Sequence, residues 1–524
     1  MTPMRILLVC SLLSSGLEAA DWPQWGGRDA RNMVSAETGL PASFDPGKRG
    51  ADGETDMATT RNVKWVARLG TETYGNPTVA GGRVFVGTNN GAPRDPRLRG
   101  DRHVLMCFDE ATGKFLWQFV GPKLRAVSNF NGDFNGLGVC SSPTVDGDRV
   151  YITTSRCDVV CLDVQGLANG NDGPFVDEGK IMAVRVVDKP GTPPRGRPPA
   201  EQEDVTPLAL RPDSADVIWR YDMIAELDVW PQDATDCSIL VHGDLLYVCT
   251  SNGVDKSHRR MGSPKAPTLI VLDKRTGKLV ALDDMAMGPR VFHGLWSSPS
   301  LCTVNGRDLV LFGGGDGFCY ALDPKPVPVP GTDVMQLKTV WRCDCNPEQY
   351  RVRDGKKLPY NQNHEGPSEV IATPVFHKGC VYVTIGQDTR HGPCPGALTC
   401  IDATKGGVVR WQYRAINRSF STPSVADGLV FAADVIGDIH CLDALTGERY
   451  WVHAGKGQSM GSTFVADGKV YVGNRSGKLT VLAAAKEKKV LAEIQLHSPI
   501  HCTPIVANGV LYVACHTRLY AVAK

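Results

Sequence analysis

The sequence lacks the features that mark several common classes of protein. It carries 57 basic and 56 acidic residues, a formal net charge of +1, which gives no reason to expect nucleic acid as a partner. After the first twenty residues, no segment approaches the ~18 consecutive apolar residues that span a bilayer. No stretch longer than about ten residues has the period of an amphipathic helix. We therefore expect neither a transmembrane segment nor a mainly helical fold.

Several metal and redox motifs are also missing. There is no Cys-x-x-Cys-His sequence for haem attachment, and no two cysteines are adjacent. His364-Glu365 lacks the second histidine of a zinc-protease motif, and Cys343-Asp344-Cys345 is too short for a zinc knuckle. The sequence thus contains no motif for covalent haem, zinc-dependent hydrolysis or a zinc finger.

The first twenty residues predict a signal peptide, residues 1–20. Arg5 supplies a positive start, residues 6–13 form an apolar run, and Ala19-Ala20 end the segment before Asp21. We interpret Cys10 as part of the apolar run, because no small residue of the kind found at lipid-attachment sites precedes it. We expect an exported protein, periplasmic or extracellular, of a bacterial envelope.

Cysteine is abundant, with 17 residues in the chain and 16 after Cys10. Four of them share one place, directly before an apolar residue and Asp in four different repeats: Cys107, Cys161, Cys400 and Cys441. Equivalent places in different sheets seldom meet, so we interpret these residues as small apolar side chains of strand cores. Cys157/Cys161 and Cys343/Cys345 are close in sequence, and a disulfide within either pair stays an alternative.

A unit of about 40 residues recurs along the chain. It begins with a small residue, Pro and an apolar strand, followed by a Gly turn, a Val-Tyr-Val strand, an apolar-Cys-Leu-Asp strand, a Thr-Gly turn and a strand with Trp. The β-branched and aromatic residues favour strands over helices. The opening strand occurs eight times, at Pro77-Thr78-Val79, Pro143-Thr144-Val145, Ile239-Leu240-Val241, Pro299-Ser300-Leu301, Pro374-Val375-Phe376, Pro423-Ser424-Val425, Phe464-Val465-Ala466 and Pro504-Ile505-Val506.

The turn before the fourth strand has a chemical explanation. Residues 109–117 and 443–451 share the frame Asp-x-x-Thr-Gly-x-x-x-Trp, and residues 273–281 repeat it with Ala281 in place of Trp. The Asp accepts turn N–H groups, the Gly permits positive φ, and the Trp fills space between adjacent sheets. Each unit is therefore expected to be one four-stranded antiparallel sheet.

The two ends of the chain predict a closed ring. The eighth unit stops at Leu519-Tyr520-Ala521-Val522 with no fourth strand, while Val63-Lys64-Trp65 is a fourth strand with no unit before it. The N-terminal strand should complete the last blade, which leaves no exposed sheet edge. The predicted fold is all-β, an eight-bladed β-propeller of four-stranded antiparallel blades.

The repeat frame resembles the tryptophan-docking repeat of quinoprotein (PQQ) alcohol dehydrogenase-like propellers and of their non-catalytic BamB-like relatives. The resemblance covers roughly residues 63–524, and the segment Asp21-Trp22-Pro23-Gln24-Trp25-Gly26-Gly27 resembles the start of many exported PQQ-like repeat proteins. It implies the propeller fold strongly. It implies cofactor use only weakly, because the docking tryptophans are structural and recur in members that bind no quinone.

The resemblance leaves two functions open. Many quinoprotein dehydrogenases carry a pair of adjacent cysteines and bind calcium through Glu, Asn and Asp side chains. This sequence has no adjacent cysteines, and the calcium ligands cannot be placed on it. We therefore expect a binding or scaffold protein of the cell envelope, more a binder than an enzyme and without a cofactor. Its expected partner is an envelope protein or a small polar ligand, and we expect a monomer. The alternative is a PQQ-dependent dehydrogenase, with calcium, at the mouth of the central channel.

Candidate site residues follow from propeller geometry. Residues just before each innermost strand line one mouth of the channel. His293 and His501, with Glu369 or Asp236, have donor atoms suited to a divalent metal; Trp296 has a face for a flat ligand, and Arg418 a charge for an anion. Each of these also has an ordinary packing or hydrogen-bonding explanation. The candidates are Asn76, Ser141, Asp236, His293, Trp296, Glu369, Arg418, Ser459 and His501.

The domain organisation is predicted from composition. A signal peptide is followed by an N-terminal segment, residues 21–62, and by the propeller, residues 63–524. Insertions of Gly- and Pro-rich sequence are expected at about 164–216 and 324–370, the second as a partner-binding surface or lid. The polar segment 388–393 between two strands of the fifth unit is either a long hairpin or a ligand loop.

Overall fold

The computed structural model describes residues 20–124, 136–171, 173–184, 205–232, 235, 237–255, 257–361 and 365–524. The predicted signal peptide up to residue 19, much of the 164–216 insertion, His364 and Asp236 lie outside the described residues. The described part is mainly β-structure, with three short α-helices, Glu178–Ala183, Met223–Leu227 and Glu348–Arg351. None of these helices has the length and apolar composition that a membrane crossing requires.

Eight antiparallel four-stranded sheets form the ring, which confirms the predicted eight-bladed β-propeller. The first four blades, each written from its innermost strand outwards, are Thr78–Ala80, Arg83–Asn89, Arg102–Asp109 and Phe115–Pro122 (blade 1); Thr144–Asp146, Arg149–Thr153, Asp158–Asp163 and Val217–Asp222 (blade 2); Leu240–His242, Leu245–Cys249, Leu269–Asp273 and Leu279–Leu282 (blade 3); and Ser300–Val304, Arg307–Gly313, Phe318–Leu322 and Thr339–Asp344 (blade 4).

The second half of the ring has shorter connections. Its blades are Val375–His377, Cys380–Ile385, Ala397–Asp402 and Val408–Tyr413 (blade 5); Ser424–Ala426, Leu429–Ala433, Ile439–Asp443 and Arg449–His453 (blade 6); Phe464–Ala466, Lys469–Gly473, Lys478–Ala483 and Val490–Gln495 (blade 7); and Ile505–Ala507, Val510–Cys515, Arg518–Val522 and Val63–Arg68 (blade 8). The last strand of blade 8 comes from the N-terminal side of the chain and pairs antiparallel with Arg518–Val522, as predicted.

Short strands decorate the ring. Met335–Gln336 pairs in parallel with the outer strand of blade 3, and Val327–Pro328 pairs with Met335–Gln336. Two small hairpins lie outside the blades, Lys48–Arg49 with Thr55–Asp56 and Val352–Arg353 with Lys356–Lys357. The sequence between residues 324 and 370 therefore contains sheet extensions, the outer strand of blade 4 and a helix.

The hydrophobic core lies between neighbouring blades. Phe85 and Leu105 of blade 1, for example, belong to one buried cluster with Val150, Ile152 and Val160 of blade 2. The middle strands are buried on both faces because a sheet lies on each side of them, which is why Val-Tyr-Val sequences are tolerated there. The described cysteines fit the same interpretation, because all are free thiols and all but the half-buried Cys394 are buried.

Tryptophan joins the blades at their outer edges. Trp65 of blade 8 donates from Nε1 to the Glu110 carbonyl in the turn of blade 1 (2.9 Å), and Trp411 of blade 5 donates to Ala444 of blade 6 (3.2 Å). Each indole lies on the glycine of the next blade's turn, Gly113 under Trp65. The frame therefore links each such blade to its neighbour rather than stabilising one sheet alone.

Residues 20–40, the first part of the N-terminal segment, run across one end of the channel and contact every blade. This N-terminal segment lies on the face of the first inter-strand turns, as shown by the Gly81 N–H that donates to Asp21. Arg31 is fully buried and donates to the carbonyls of Trp25, Ile239 and Pro299; burial lowers its pKa to about 10. The blade contacts are with Val79, Val145, Ile239, Leu301, Phe376, Val425, Val465 and Asn508.

Candidate functional site

A belt of small polar residues surrounds the channel just before the innermost strands. The Ser142 N–H donates to Ser238 Oγ (3.0 Å), and the Ser238 N–H donates to Ser298 Oγ (2.9 Å). The same link joins Thr373 to Thr422, Thr422 to Ser462 and Ser462 to Thr503. Asn76 accepts from the Thr503 N–H and ends this second run of links. These six hydrogen bonds join neighbouring blades around most of the axis.

The belt surrounds a cavity of about 290 Å³ in the channel. Trp25 of the N-terminal segment lies at its inner end and donates to the Thr373 hydroxyl (3.0 Å). The cavity is therefore closed on the side that this segment covers, and its other end lies at the mouth formed by the loops between blades. All eight belt positions line it, together with aromatic and charged side chains from these loops.

Trp296 forms much of the aromatic wall. Its ring packs edge-on against Phe420, with centroids 5.9 Å apart, and against His293, with centroids 4.5 Å apart. Among the described residues, its Nε1 has no hydrogen-bond acceptor. This atom is itself buried next to Gly294, so Trp296 offers its ring rather than its N–H to the cavity.

Two arginines give the cavity wall its charge. Arg390 donates to both carboxylate oxygens of Asp388, at 3.0 and 2.9 Å, and this contact opposes the effect of burial so that the pKa of Asp388 is lowered. Arg475 donates to the neutral amide of Gln458 (2.7 Å). The Asp388–Arg390 pair cancels in charge, so Arg475 leaves the wall positive.

His501 lies on the opposite side of the cavity from Trp296 in the ring order, in blade 8. Its Nδ1 hydrogen-bonds His516 Nε2 at 2.9 Å, and its ring packs on Tyr74 with centroids 4.6 Å apart. Burial lowers the pKa of His501 to about 2 and that of His516 to about 4. Both rings are therefore neutral at neutral pH and add no charge to the cavity.

His293, Glu369 and Arg418 lie before the innermost strands of blades 4, 5 and 6, and none of them lines the cavity. Burial raises the pKa of Glu369 to about 8, and burial lowers the pKa of Arg418. Arg418 donates to the Asn361 carbonyl (3.2 Å). The structure therefore brings Glu369 close to the charge of Arg418, places His293 against Trp296 and pairs His501 with His516, so His293 and His501 do not share one site.

The other candidates have structural contacts. Ser141 donates to the Thr153 carbonyl (2.9 Å) and Ser459 to the Gly473 carbonyl (3.0 Å), each fastening a loop to the end of its own blade's second strand. Asn76 belongs to the belt and lines the cavity. Asp236 lies outside the described residues.

Sequence reasoning missed residues on the loops between second and third strands. Arg390 and Asp388 line the cavity, and His258 and His391 approach His293. These loops open on the same mouth as the residues before the innermost strands, but the predicted candidate residues all lie in the latter. The polar segment 388–393 was the available signal, and it does contribute to the cavity wall.

The fold and the cavity define the class: an eight-bladed PQQ-like β-propeller with an aromatic, partly charged cavity in its channel. A family model described as "Outer membrane protein assembly factor BamB" matches residues 56–172, 100–323 and 437–523. These ranges cover more than half of the chain, and the protein belongs to this family of PQQ-like propellers.

Individual relatives are distant. The chain is 25% identical to lupanine 17-hydroxylase (cytochrome c) of a Pseudomonas species over 77% of this chain and 52% of that protein. It is 32% identical to the outer membrane protein assembly factor BamB of Burkholderia pseudomallei over 19% of this chain and 30% of that protein. The chain thus spans about half or less of these curated relatives. BamB from Moraxella catarrhalis shares the fold, with a TM-score of 0.51, 14% identity and coverage of 88% and 99%.

The cavity does not fit a quinone held by calcium. Calcium takes about 6–8 oxygen ligands, with carboxylates prominent among them. Asp388 is the one carboxylate among the described residues that line the cavity, and Arg390 engages both of its oxygens. Glu369 lies outside the lining, and its raised pKa of about 8 makes it a neutral acid at pH 7. Cys140, which lines the cavity, has Val139 and Ser141 as chain neighbours and so cannot form the ring of adjacent cysteines.

Proposed function

We propose that this protein is an exported binding protein of the cell envelope that holds a small anionic ligand with a flat apolar portion in its channel cavity. The observation that carries the proposal is the cavity lining, which combines the aromatic rings of Trp296 and Phe420 with the positive charge of Arg475 on the His501 side. Pockets of this kind bury the apolar part of a ligand and orient it through a few polar groups.

The predicted signal peptide and the family description support the envelope as the location. There the ligand is either a free small molecule or a side chain that an envelope protein inserts into the mouth of the channel. Arg475 suits a carboxylate or sulfonate because a charge-assisted hydrogen bond is stronger than a neutral one.

Binding of anilinonaphthalene sulfonate, a flat aromatic anion, tests the proposal. We expect residues 21–524 to bind one molecule of this probe, and Arg475→Gln to weaken the binding about tenfold because one charge-assisted contact is lost. Arg275→Gln, on an exposed turn of blade 3, is the matched control and should bind as the unchanged protein does. Equal affinity in the Arg475→Gln variant contradicts an anion site in the cavity.

A PQQ-dependent dehydrogenase is the second candidate, favoured by the 25% identity to lupanine 17-hydroxylase over most of this chain. The lone, arginine-bound carboxylate of the cavity weighs against it. Pyrroloquinoline quinone should show no calcium-dependent binding, and alcohols should not reduce a dye in its presence. Calcium-dependent binding with turnover would instead make the protein an oxidoreductase.

A further inference from the structure

Three histidines from three loops meet at the mouth of the channel. His258 lies between the second and third strands of blade 3, His293 lies before blade 4, and His391 lies between the second and third strands of blade 5. Their nearest ring nitrogens all lie within 4.8 Å of one another. Sequence separation hides this cluster, because His258 and His391 are 133 positions apart.

The three rings form a nearly equilateral triangle. The centroid distances are 5.0 Å for His258–His293, 5.2 Å for His258–His391 and 5.3 Å for His293–His391. Imidazoles that bind one zinc ion tetrahedrally, with Zn–N bonds of about 2.0–2.1 Å, hold their centroids roughly 5 Å apart. The centroid spacing of the three rings is therefore close to that of a three-histidine metal centre.

Hydrogen bonds at Nδ1 orient two of the rings for metal binding. His258 Nδ1 lies 2.8 Å from the Phe292 carbonyl, which can only accept, so this nitrogen carries the proton. His391 Nδ1 lies 3.1 Å from Gln387 Oε1, and the Gln387 amide nitrogen is used in a bond to the Pro367 carbonyl. In both rings Nε2 is then the unprotonated nitrogen, the tautomer found in metal-binding histidines whose Nδ1–H is held by a carbonyl.

His293 supplies the second, independent observation. Its side chain is completely buried, and neither ring nitrogen has a hydrogen-bond partner among the described residues. An unpaired buried polar group is costly, and a metal ion bound at one nitrogen would remove part of that cost.

Asp388 lies on the cavity side of the cluster. Its Oδ2 is 3.9 Å from His293 Nε2, beyond hydrogen-bonding distance, and Arg390 holds the carboxylate in place. Because Asp388 and Trp296 also line the channel cavity, an ion among the three rings would sit at the edge of that cavity. A fourth ligand, whether Asp388, water or a ligand oxygen, could reach it from this side.

We propose that His258, His293 and His391 bind one divalent transition-metal ion of the zinc type at the mouth of the channel, with Asp388 beside the open position. Three imidazoles favour zinc, copper or nickel over calcium and magnesium, which prefer oxygen ligands. The site lies outside the contacts that hold the proposed anionic ligand at Arg475, so the two proposals are tested separately.

Zinc titration of the whole mature chain tests the site. Residues 21–524, stripped with a chelator, should bind one zinc ion per chain by calorimetry and by metal analysis. The His391→Ala variant should bind at least about 100-fold more weakly, since loss of even a supporting contact to a ligand costs 10–100-fold. His377→Ala, a half-buried histidine of the innermost strand of blade 5, should bind as the unchanged protein does.

A spectroscopic measurement distinguishes loss of the metal site from misfolding of a variant. Cobalt(II) added to the unchanged protein should give the visible absorption bands of a tetrahedral site with nitrogen ligands, and zinc should displace them. The bands should vanish in His391→Ala while its melting temperature without metal stays close to that of His377→Ala. Absence of stoichiometric zinc and of cobalt bands in the unchanged protein, or unaltered zinc affinity in His391→Ala, overturns the proposal.

Discussion

At the scale of single residues, the histidine pair at the edge of the cavity is uncharged for a physical reason. His501 and His516 share a 2.9 Å hydrogen bond, pack beside Tyr74 and lie within the field of Arg475. Burial, and then the neighbouring positive charge, disfavour protonation, so both pKa values lie below that of an exposed histidine. The unfolded chain therefore binds protons that the folded protein excludes.

This difference predicts acid sensitivity. The free energy of unfolding is unaffected by these histidines above about pH 6.5, where they are neutral in both states. It falls as the pH decreases towards about 4, because the unfolded chain takes up protons first. Between about pH 7.5 and 4.5, the unfolding free energy of His516→Asn should fall by about 1 kcal/mol less than that of the unchanged protein. This figure is reduced for solvent screening, because the His516 ring is only half-buried. Urea unfolding at both pH values measures it. His242→Gln is the control, and an unchanged fall in His516→Asn contradicts the explanation.

At the scale of secondary-structure elements, the Thr-Gly turn of blade 6 and Trp411 of the preceding blade form one packed unit. Gly447 has φ +75°, and a Cβ there would lie 2.6 Å from the Trp411 ring. Gly428, in the first turn of the same blade, has φ +77° with nothing within 4 Å of a Cβ. The two glycines thus share a positive φ and differ in what a Cβ would contact.

This pair separates tryptophan docking from backbone strain. Gly447→Ala should lower the unfolding free energy by about 1–3 kcal/mol more than Gly428→Ala, because only the first alanine pushes into a packed ring. Both variants share the cost of an alanine at positive φ. Denaturant midpoints, followed by the tryptophan emission of the whole chain, measure the difference. Equal losses in the two variants would show that the docking contact adds nothing.

At the scale of the whole molecule, the N-terminal segment fastens the ring from one side while the outer strand of blade 8 closes it from the edge. Residues 20–40 form hydrogen bonds with all eight blades. The single side chain of Arg31 bonds both blade 3 and blade 4. Trp25 from the same segment forms the inner end of the channel cavity. The segment therefore contributes both to the stability of the ring and to the shape of the candidate site.

Removal of this segment tests both roles. A chain of residues 41–524 keeps the strand Val63–Arg68 but loses the bonds across the channel. Its melting temperature should fall by roughly 5 °C or more relative to residues 21–524, given several lost hydrogen bonds of about 1 kcal/mol each. Its affinity for anilinonaphthalene sulfonate should fall as well, because the cavity has lost its inner end. Unchanged melting and binding would exclude a closing role.

The fold was largely predictable because its causes are local and repeated. Eight copies of one strand pattern, the Asp-x-x-Thr-Gly turn and the split last blade led to the observed blades and to the pairing of Val63–Arg68 with Arg518–Val522. The candidate site was predictable only in part. Asn76, Trp296 and His501 line the cavity, whereas Glu369 and Arg418 lie behind its wall.

By itself, the sequence determined the number of blades, their strand order and the closure of the ring, since alternation and turn chemistry act over a few neighbouring residues. Tertiary structure decided which loops face one another. The neighbours of His293 are His258 and His391 rather than His501, and Arg390 is matched to Asp388, because loops of different lengths fold over blades 3 to 5. Such contacts depend on the packing of whole blades, which no local pattern encodes.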